Sequence, residues 1–341
     1  MTYSDPTRGT DPVISRIDTT DDTALRAWHS TMREAALADR PEAAVMGYAD
    51  LRGMVTAHRE DRRYRVYAAT EAGRVVGTLL MELPDLENRH LAELDVSVAR
   101  DCRRRGHGSA LLALAEGVMA EEGRTTALGE VYVPDGWAAE EWPGAGFALA
   151  HGFESAHEED YLVLDLPVEP GRLAAIPTHT GPYRVRTWTG ACPEELVEAY
   201  AKMRTAMAED VPTGGLDTEP EVWDAARVRA EERRREEQEY GTVVSVAQSP
   251  SGGLAGYSMV LVPAESGGEV YQEDTLVMRA HRGLRLGSAL KLRNLEVLAR
   301  EYPGSTQVRT WVDPANAPMR DVNLRFGFRR VERMVEFQRV R

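Results

Sequence analysis

The stretch Glu93-Leu-Asp-Val-Ser-Val-Ala-Arg-Asp-Cys-Arg-Arg-Arg-Gly-His-Gly-Ser109 decides how the chain folds. Leu94, Val96 and Val98 alternate with polar residues, and because side chains change face at every residue this reads as a half-buried strand. A loop rich in arginine and glycine follows. From Ser109 onward Leu111, Leu114, Ala115 and Val118 fall on one stripe of a helix. Glycine lets the main chain approach a ligand closely, and the first turn of a helix leaves N–H groups unpaired. Strand, glycine loop and helix therefore make an anion-binding arrangement. Its spacing, Arg103-x-x-Gly106-x-Gly108, matches neither the P-loop nor the dinucleotide fingerprint.

The arrangement occurs twice. Gly268–Val277 reads as a second central strand, His281-Arg-Gly-Leu-Arg-Leu-Gly287 as its loop, and a helix begins at Ser288 with Leu292, Leu295 and Ala299 on one face. Subtracting positions, Arg282 − Arg103, Gly287 − Gly108, Asp274 − Asp95, Val277 − Val98 and Gly256 − Gly77 all give 179. Nearer the start of each copy, Leu196 − Leu25, Met203 − Met32 and Pro212 − Pro41 give 171. One offset shared by a strand, a loop and a helix is the mark of a tandem duplication. Around these cores the pattern predicts helices over 23–37 and 42–59, strands over 64–69 and 74–82 joined by Glu71-Ala-Gly73, and strands over 127–133 and 161–166. The second copy repeats the order: strands over 183–187, 242–247 and 254–262, and helices over 193–207 and 219–239. The last of these, with Glu231, Glu232, Arg233, Arg234, Arg235, Glu236 and Glu237, reads as a solvated helix with no chemistry assigned. Pro167, Pro170, Gly171, Pro177, Gly181 and Pro182 place a linker at 167–182. The expected domains are 1–166 and 183–341.

With 341 residues, 43% hydrophobic and 28% charged, the chain has the length and composition of two globular domains. No apolar leader occurs in Met1–Val13 and no run is long enough to span a bilayer, so a soluble cytoplasmic protein without a membrane partner is expected. Cys102 and Cys192 read as reduced structural thiols, and no metal cluster is expected. A net charge of −14 argues against a nucleic-acid partner and fits a cationic small substrate.

The repeated Arg-x-x-Gly-x-Gly resembles the acyl-CoA-binding motif of the GNAT family of N-acetyltransferases. Asn316-Ala-Pro-Met319, Asn323 and Gly327-Phe328 look like that family's last helix and the Gly-Phe that opens its final strand, and the first copy keeps Gly152-Phe153. The resemblance implies an α/β fold of mixed α+β type: two tandem acyl-CoA N-acyltransferase units, each with a sheet splayed between its fourth and fifth strands. Acetyl-CoA would lie in that cleft as co-substrate. Its contacts would be Val96, Val98, Arg103, Arg104, Arg105, Gly106, His107, Gly108 and Ser109 in the first copy. In the second they would be Val277, Arg282, Gly283, Arg285, Gly287, Ser288 and Asn316. Two departures stand out: Arg285 replaces the first loop glycine, and the position of the family's frequent thiolate-protonating tyrosine holds Ala148 and Asn323.

Acetylating an amine requires a base, a polarised thioester and alignment of the reactants. A backbone N–H at a strand bulge near Val98 or Val277 would serve as oxyanion donor. Asp95 and Asp274, eight residues before the loop arginines, are the leading candidate bases. Glu93 and Glu273 are weaker ones, and Tyr132, Tyr271 and His151 are candidate proton donors. The expected activity is acetyl transfer to a small amine such as an antibiotic-like amine, an amino sugar or a polyamine. A mycothiol-synthase-like enzyme and a non-catalytic acyl-CoA sensor are the alternatives. Which copy is active, and whether the chain forms a homodimer, stay open.

Overall fold

Alternating runs become strands, and stripes spaced by 3.6 residues become helices, in the structure, a computed structural model that describes residues 12–178, 180–265 and 267–341. Residues 1–11, where no leader is expected, lie outside the described residues. The first copy runs β1 (Val13–Arg16), α1 (Asp22–Leu37), α2 (Tyr48–Thr56), β2 (Arg62–Glu71), β3 (Arg74–Pro84), β4 (Leu91–Val98), α3 (His107–Glu121), β5 (Thr126–Pro134), α4 (Pro143–Ala150) and β6 (Glu154–Asp165). After α5 (Pro170–Ala174) the second runs β7 (Arg184–Thr189), α6 (Val197–Asp210), α7 (Ala225–Glu237), β8 (Gly241–Gln248), β9 (Leu254–Val262), β10 (Glu269–Val277), α8 (Leu286–Glu301), β11 (Gln307–Val312), α9 (Ala317–Phe326) and β12 (Arg329–Val340).

Local chemistry explains the boundaries. Between β2 and β3, Ala72 and Gly73 both take positive φ, 49° and 80°, the mirror-image turn whose twist suits a two-residue hairpin. Helix α7 begins later than predicted because Asp224 caps it by accepting from the Arg227 N–H. The proline-rich 167–182 still holds one helical turn: Pro170 fills a first-turn position, where no N–H is needed, and Glu169 accepts from the N–H groups of Gly171 and Arg172.

Two compact units divide the molecule. One comprises the residues up to 130 with 148–154 and 336–341; the other comprises 131–147 and 155–335. In the first unit the strand order is β1-β2-β3-β4-β5, antiparallel except for the parallel pair β4–β5. Helices α1 and α2 cover one face through Leu25, Trp28, Met32 and Leu51 on Val66 and Ala68, and the Trp28 indole N–H donates to the Tyr67 carbonyl at 2.8 Å. On α3, Leu111, Ala115 and Met119 are buried. The second unit orders its strands β12-β6-β11-β10-β9-β8-β7, with β10–β11 parallel. The strand beside β11 is thus β6, which comes from the first copy, and it pairs antiparallel from Gln307↔Asp165 to Val312↔Asp160. Tyr200, Val228, Val244, Tyr257 and Met259 form the core on the α6 and α7 side, and Val260, Val270, Val297, Val308 and Phe326 the core beneath α8 and α9. Among the described residues no helix is long and apolar enough to cross a membrane.

Both parallel pairs are short. Strands β4 and β5 are paired only over Leu91–Glu93 with Thr126–Leu128, and β10 and β11 only over Glu269–Tyr271 with Gln307–Arg309. Beyond these residues the two strands of each parallel couple are no longer paired with each other, although β4, β10 and β11 stay bonded to their other neighbours up to Val98, Val277 and Val312. Between β10 and β11 a cleft opens at the end where the glycine loop of the second unit begins.

Candidate active site

The two loops share one backbone. Residues Arg104 and Gly106 take φ of 62° and 89°; Gly283 and Arg285, at the offset of 179, take 80° and 58°. The left-handed conformation therefore falls on the same two positions, with glycine and arginine exchanged. Arg285 does not block the loop: it adopts the glycine's conformation and leaves its side chain exposed. The first helical bonds run from Ala110 N–H to Gly106 O and from Ala289 N–H to Arg285 O, and no side chain caps either helix. The N–H groups of His107, Gly108 and Ser109, and of Leu286, Gly287 and Ser288, are consequently without intrahelical partners, which is the donor set a diphosphate requires.

The leading arginines hold the loop. Arg103 donates to the Val98 carbonyl at 3.2 Å, to Asp39 at 2.6 Å and to the Ala35 carbonyl at 3.1 Å. Arg282 repeats this, donating to the Val277 carbonyl at 3.0 Å and pairing with Asp210, whose offset from Asp39 is 171. Arg105 donates to the Asp101 carbonyl at 2.9 Å. Arg104 is exposed and has no partner among the described residues. The His107 side chain is buried, 3.7 Å from Glu71, so only its main chain faces the loop. Ser109 Oγ lies 3.0 Å from His151 Nε2, whereas Asn316 caps α9 by accepting from the Met319 N–H.

The strands before the loops differ. A bulge lies in β10, where Glu273 and Asp274 intervene between Gln272↔Val260 and Thr275↔Ser258. It is earlier in the strand than Val277. Strand β4 has none: Glu93 to Val98 pair in unbroken register with Glu82 to Gly77, so the bulge expected near Val98 is absent and alternation alone orients Asp95. Asp95 is exposed on the face of Glu93, but the protein around it pushes its pKa up, against an opposing 3.3 Å hydrogen bond from Ser97. Asp274 is already engaged, accepting from the Tyr257 hydroxyl at 2.6 Å and lying 3.3 Å from Arg204. Its neighbour Glu273 touches solvent and has no hydrogen-bond or ion-pair partner among the described residues. Surrounding protein, and next the Asp274 charge, push its pKa up to about 7.

In the first unit Glu93 stands directly across from Glu82, and the surrounding protein, followed by the charges of Glu82, Glu130 and Glu336, raises its pKa to about 8. The charged helix α7 is less solvated than its composition predicts. Arg235 is buried against Met259 and pairs with Glu231 at 2.9 Å, because these residues fall on the stripe shared with the buried Val228. A groove of about 330 Å³ is lined by residues 155–158, with His157 and Glu158, and by Asp313–Ala315 just beyond β11. Alongside it on the sheet, Tyr271, Trp311 and Tyr161 stack in a row at 6.2 and 5.1 Å.

Residues 23–139 and 206–328 each match the sequence profile of the acetyltransferase (GNAT) family. The chain belongs to that family. A tandem GNAT protein from the clavulanic acid biosynthesis pathway is 27% identical, with a TM-score of 0.83 over 97% of this chain and 98% of that one. A GCN5-related N-acetyltransferase from Sphaerobacter thermophilus, 14% identical over 98% and 96% of the two chains, shares the fold at a TM-score of 0.69. No curated protein matches the sequence significantly. The protein is accordingly a tandem GNAT acyltransferase, of a family that in general uses acetyl-CoA and acts on a small-molecule acceptor.

Several features of this GNAT site left no linear signal. The Arg103–Asp39 clip spans 64 residues, and the four glutamates of the first unit come from β3, β4, β5 and the end of β12. Glu273 was readable only as a lesser base because its advantage depends on the bulge.

Proposed function

We propose that the chain transfers the acetyl group of acetyl-CoA to the amine of a small cationic molecule, and that the second unit carries the chemistry. Acetyl-CoA, when bound, supplies the activated acetyl thioester; the uncapped first turns of α3 and α8 and the parted parallel strands have the donor groups and the space for it. The observation that carries the reading is Glu273, a carboxyl without a hydrogen-bond or ion-pair partner among the described residues. Its pKa is lifted to about 7 by the surrounding protein and next by Asp274, which accepts from Tyr257 and lies beside Arg204. A carboxyl raised to that range takes a proton near neutral pH, as a general base must. Glu273 is the general base in this reading. Asp274 positions and tunes it, and the bulge interrupts the pairing of β10 with β9 at these two residues. An ammonium substrate is favoured by Glu158 and Asp313 in the groove, and its carbon skeleton by the row of Tyr271 and Trp311.

Thiol release measured with a panel of polyamines, amino sugars and other small amines tests this. Turnover that Glu273→Gln abolishes and Asp95→Asn spares is expected. Coenzyme binding without turnover on any amine would favour the sensor, and loss through Asp95→Asn alone would place the chemistry in the first unit. The tandem relative is named for a biosynthetic pathway of a small antibiotic-type molecule, which is compatible with a small-molecule acceptor.

A further inference from the structure

Lys291, six residues past Arg285 on α8, is 4% exposed, and its ammonium lies 5.5 Å from the centroid of the Phe328 ring. Among the described residues it has no hydrogen bond and no ion pair. Charged groups on the neighbouring elements are engaged elsewhere: Arg293 with Glu296 on α8, Arg320 with Asp160 from α9, and Arg329 with Asp165 and Arg330 with Asp135 from β12. Burial alone pushes the Lys291 pKa down to about 7. At the offset of 179 the first copy has Leu112, 3% exposed. The fold thus accepts a hydrocarbon where α8 keeps an uncompensated ammonium, an expensive choice unless an anion repays it.

The side chain is placed to meet one. Helix side chains lean toward the N-terminus, and the reach of a lysine, roughly 6 Å, equals about four residues of helical rise. By that geometry Lys291 would reach along the first turn of α8, past Ser288, which is three residues earlier and 5% exposed. That turn holds the unpaired N–H groups of Leu286, Gly287 and Ser288. At the matching place in the first copy a basic group also stands against the turn, where His151 meets Ser109 at 3.0 Å.

We propose that Lys291 supplies an internal positive charge to the anion site at the start of α8, so that a phosphate group of the coenzyme binds there together with a proton. This rests on the reading of the second unit as an acetyl-CoA site. An anion beside the ammonium stabilises its charged form, so binding above neutral pH draws a proton from solution.

Calorimetric titration of the full-length chain with coenzyme A at pH 8, in two buffers of different ionisation enthalpy, tests it. Two equivalents are expected to bind, one of them with uptake of close to one proton. Lys291→Met, which takes its cue from Leu112 and should fold at least as well, is expected to abolish that uptake and weaken one site about tenfold, the equivalent of one pKa unit. Lys291→Arg, which stays charged, should keep affinity near that of the parent but take up no proton. If Lys291→Met binds two equivalents with unchanged affinity and proton uptake, the lysine is not part of the site although the coenzyme reading stands. If the parent chain binds one equivalent and Lys291→Met leaves it unaltered, the second unit is no coenzyme site and both ideas fall.

Discussion

At the loop between β4 and α3, positive φ falls on Arg104 and Gly106; at the loop between β10 and α8 it falls on Gly283 and Arg285. Each loop is pinned by an arginine, Arg103 or Arg282, that reaches back to the carbonyl ending its strand and across to an aspartate at the C-terminal end of its copy's first helix, α1 or α6. What the copies share is a backbone shape and the clip that holds it. They part at the strand before the loop. In β4 an unbroken register lines Glu93 and Asp95 along one face, with Glu82 opposite Glu93. In β10 a single extra residue interrupts the register at Glu273 and Asp274; Tyr257 of β9 and Arg204 of α6 take up Asp274, and Glu273 keeps no such partner among the described residues. Anion binding asks only for main-chain N–H groups at a fixed angle, and two sequences can provide that. A base of suitable acidity asks for a particular side chain among particular neighbours, so there one residue of register separates the copies.

The largest expected effect breaks that comparison at the strands. Glu273→Gln should lower kcat/KM by roughly 10²–10⁴-fold, the range of a lost general base, while Asp95→Asn should leave most of the activity. Because the base works only when deprotonated, kcat/KM of the parent should rise with pH and level off above about 7. Asp274→Asn removes the neighbouring negative charge, lowers the pKa of Glu273 and should move that rising limb to lower pH. A limb unmoved by Asp274→Asn would mean that the group titrating is not Glu273.

Next in size is stability. Lys291, with its pKa lowered from 10.5 to about 7, binds fewer protons folded than unfolded between those values. Stability rises with pH wherever the unfolded chain holds more protons, so the penalty is full below pH 7 and relieved by about pH 10.5. Lys291→Leu should therefore stabilise the second unit by about 2–4 kcal/mol at neutral pH and flatten the rise toward alkaline pH. Denaturant melts at pH 7 and pH 9 read both. A destabilised Lys291→Leu would show that an unseen partner already satisfies the ammonium.

How much of this was legible follows the same division. The duplication, the cleft and the loops were readable because each is local: an alternating run, two turn positions and a helical stripe repeated at 179. The Gly-to-Arg exchange at Arg285 read only as a departure because the sequence does not disclose that the left-handed position can be borne by either residue while its partner supplies the glycine. The bulge was expected in the wrong place because register is a property of two strands, and nothing in β10 alone says which of its residues β9 leaves unpaired. That Arg103 also clips to Asp39 was not readable, since Asp39 lies 64 residues away in the segment after α1. Lys291 carried no signal at all, sitting beside Leu290 where a helix edge usually meets water.

The smallest effect tests whether the shared backbone is really indifferent to side chain. A non-glycine residue in the left-handed region costs roughly 1–2 kcal/mol, partly offset by the lower entropy of its unfolded chain. Arg285→Gly should then stabilise the second unit by about 0.5–1 kcal/mol, and Gly106→Arg should cost the first a similar amount. Neither should change coenzyme affinity by more than about threefold, since the main-chain donors keep their positions and an exposed guanidinium adds little at ordinary ionic strength. A tenfold loss with Arg285→Gly would mean that this guanidinium grips the diphosphate, and the second loop would then have replaced main-chain recognition by a charge. A tenfold loss with Gly106→Arg would mean that the first loop needs the bare backbone its glycine exposes, so that the two sites recognise their ligand differently despite a common shape.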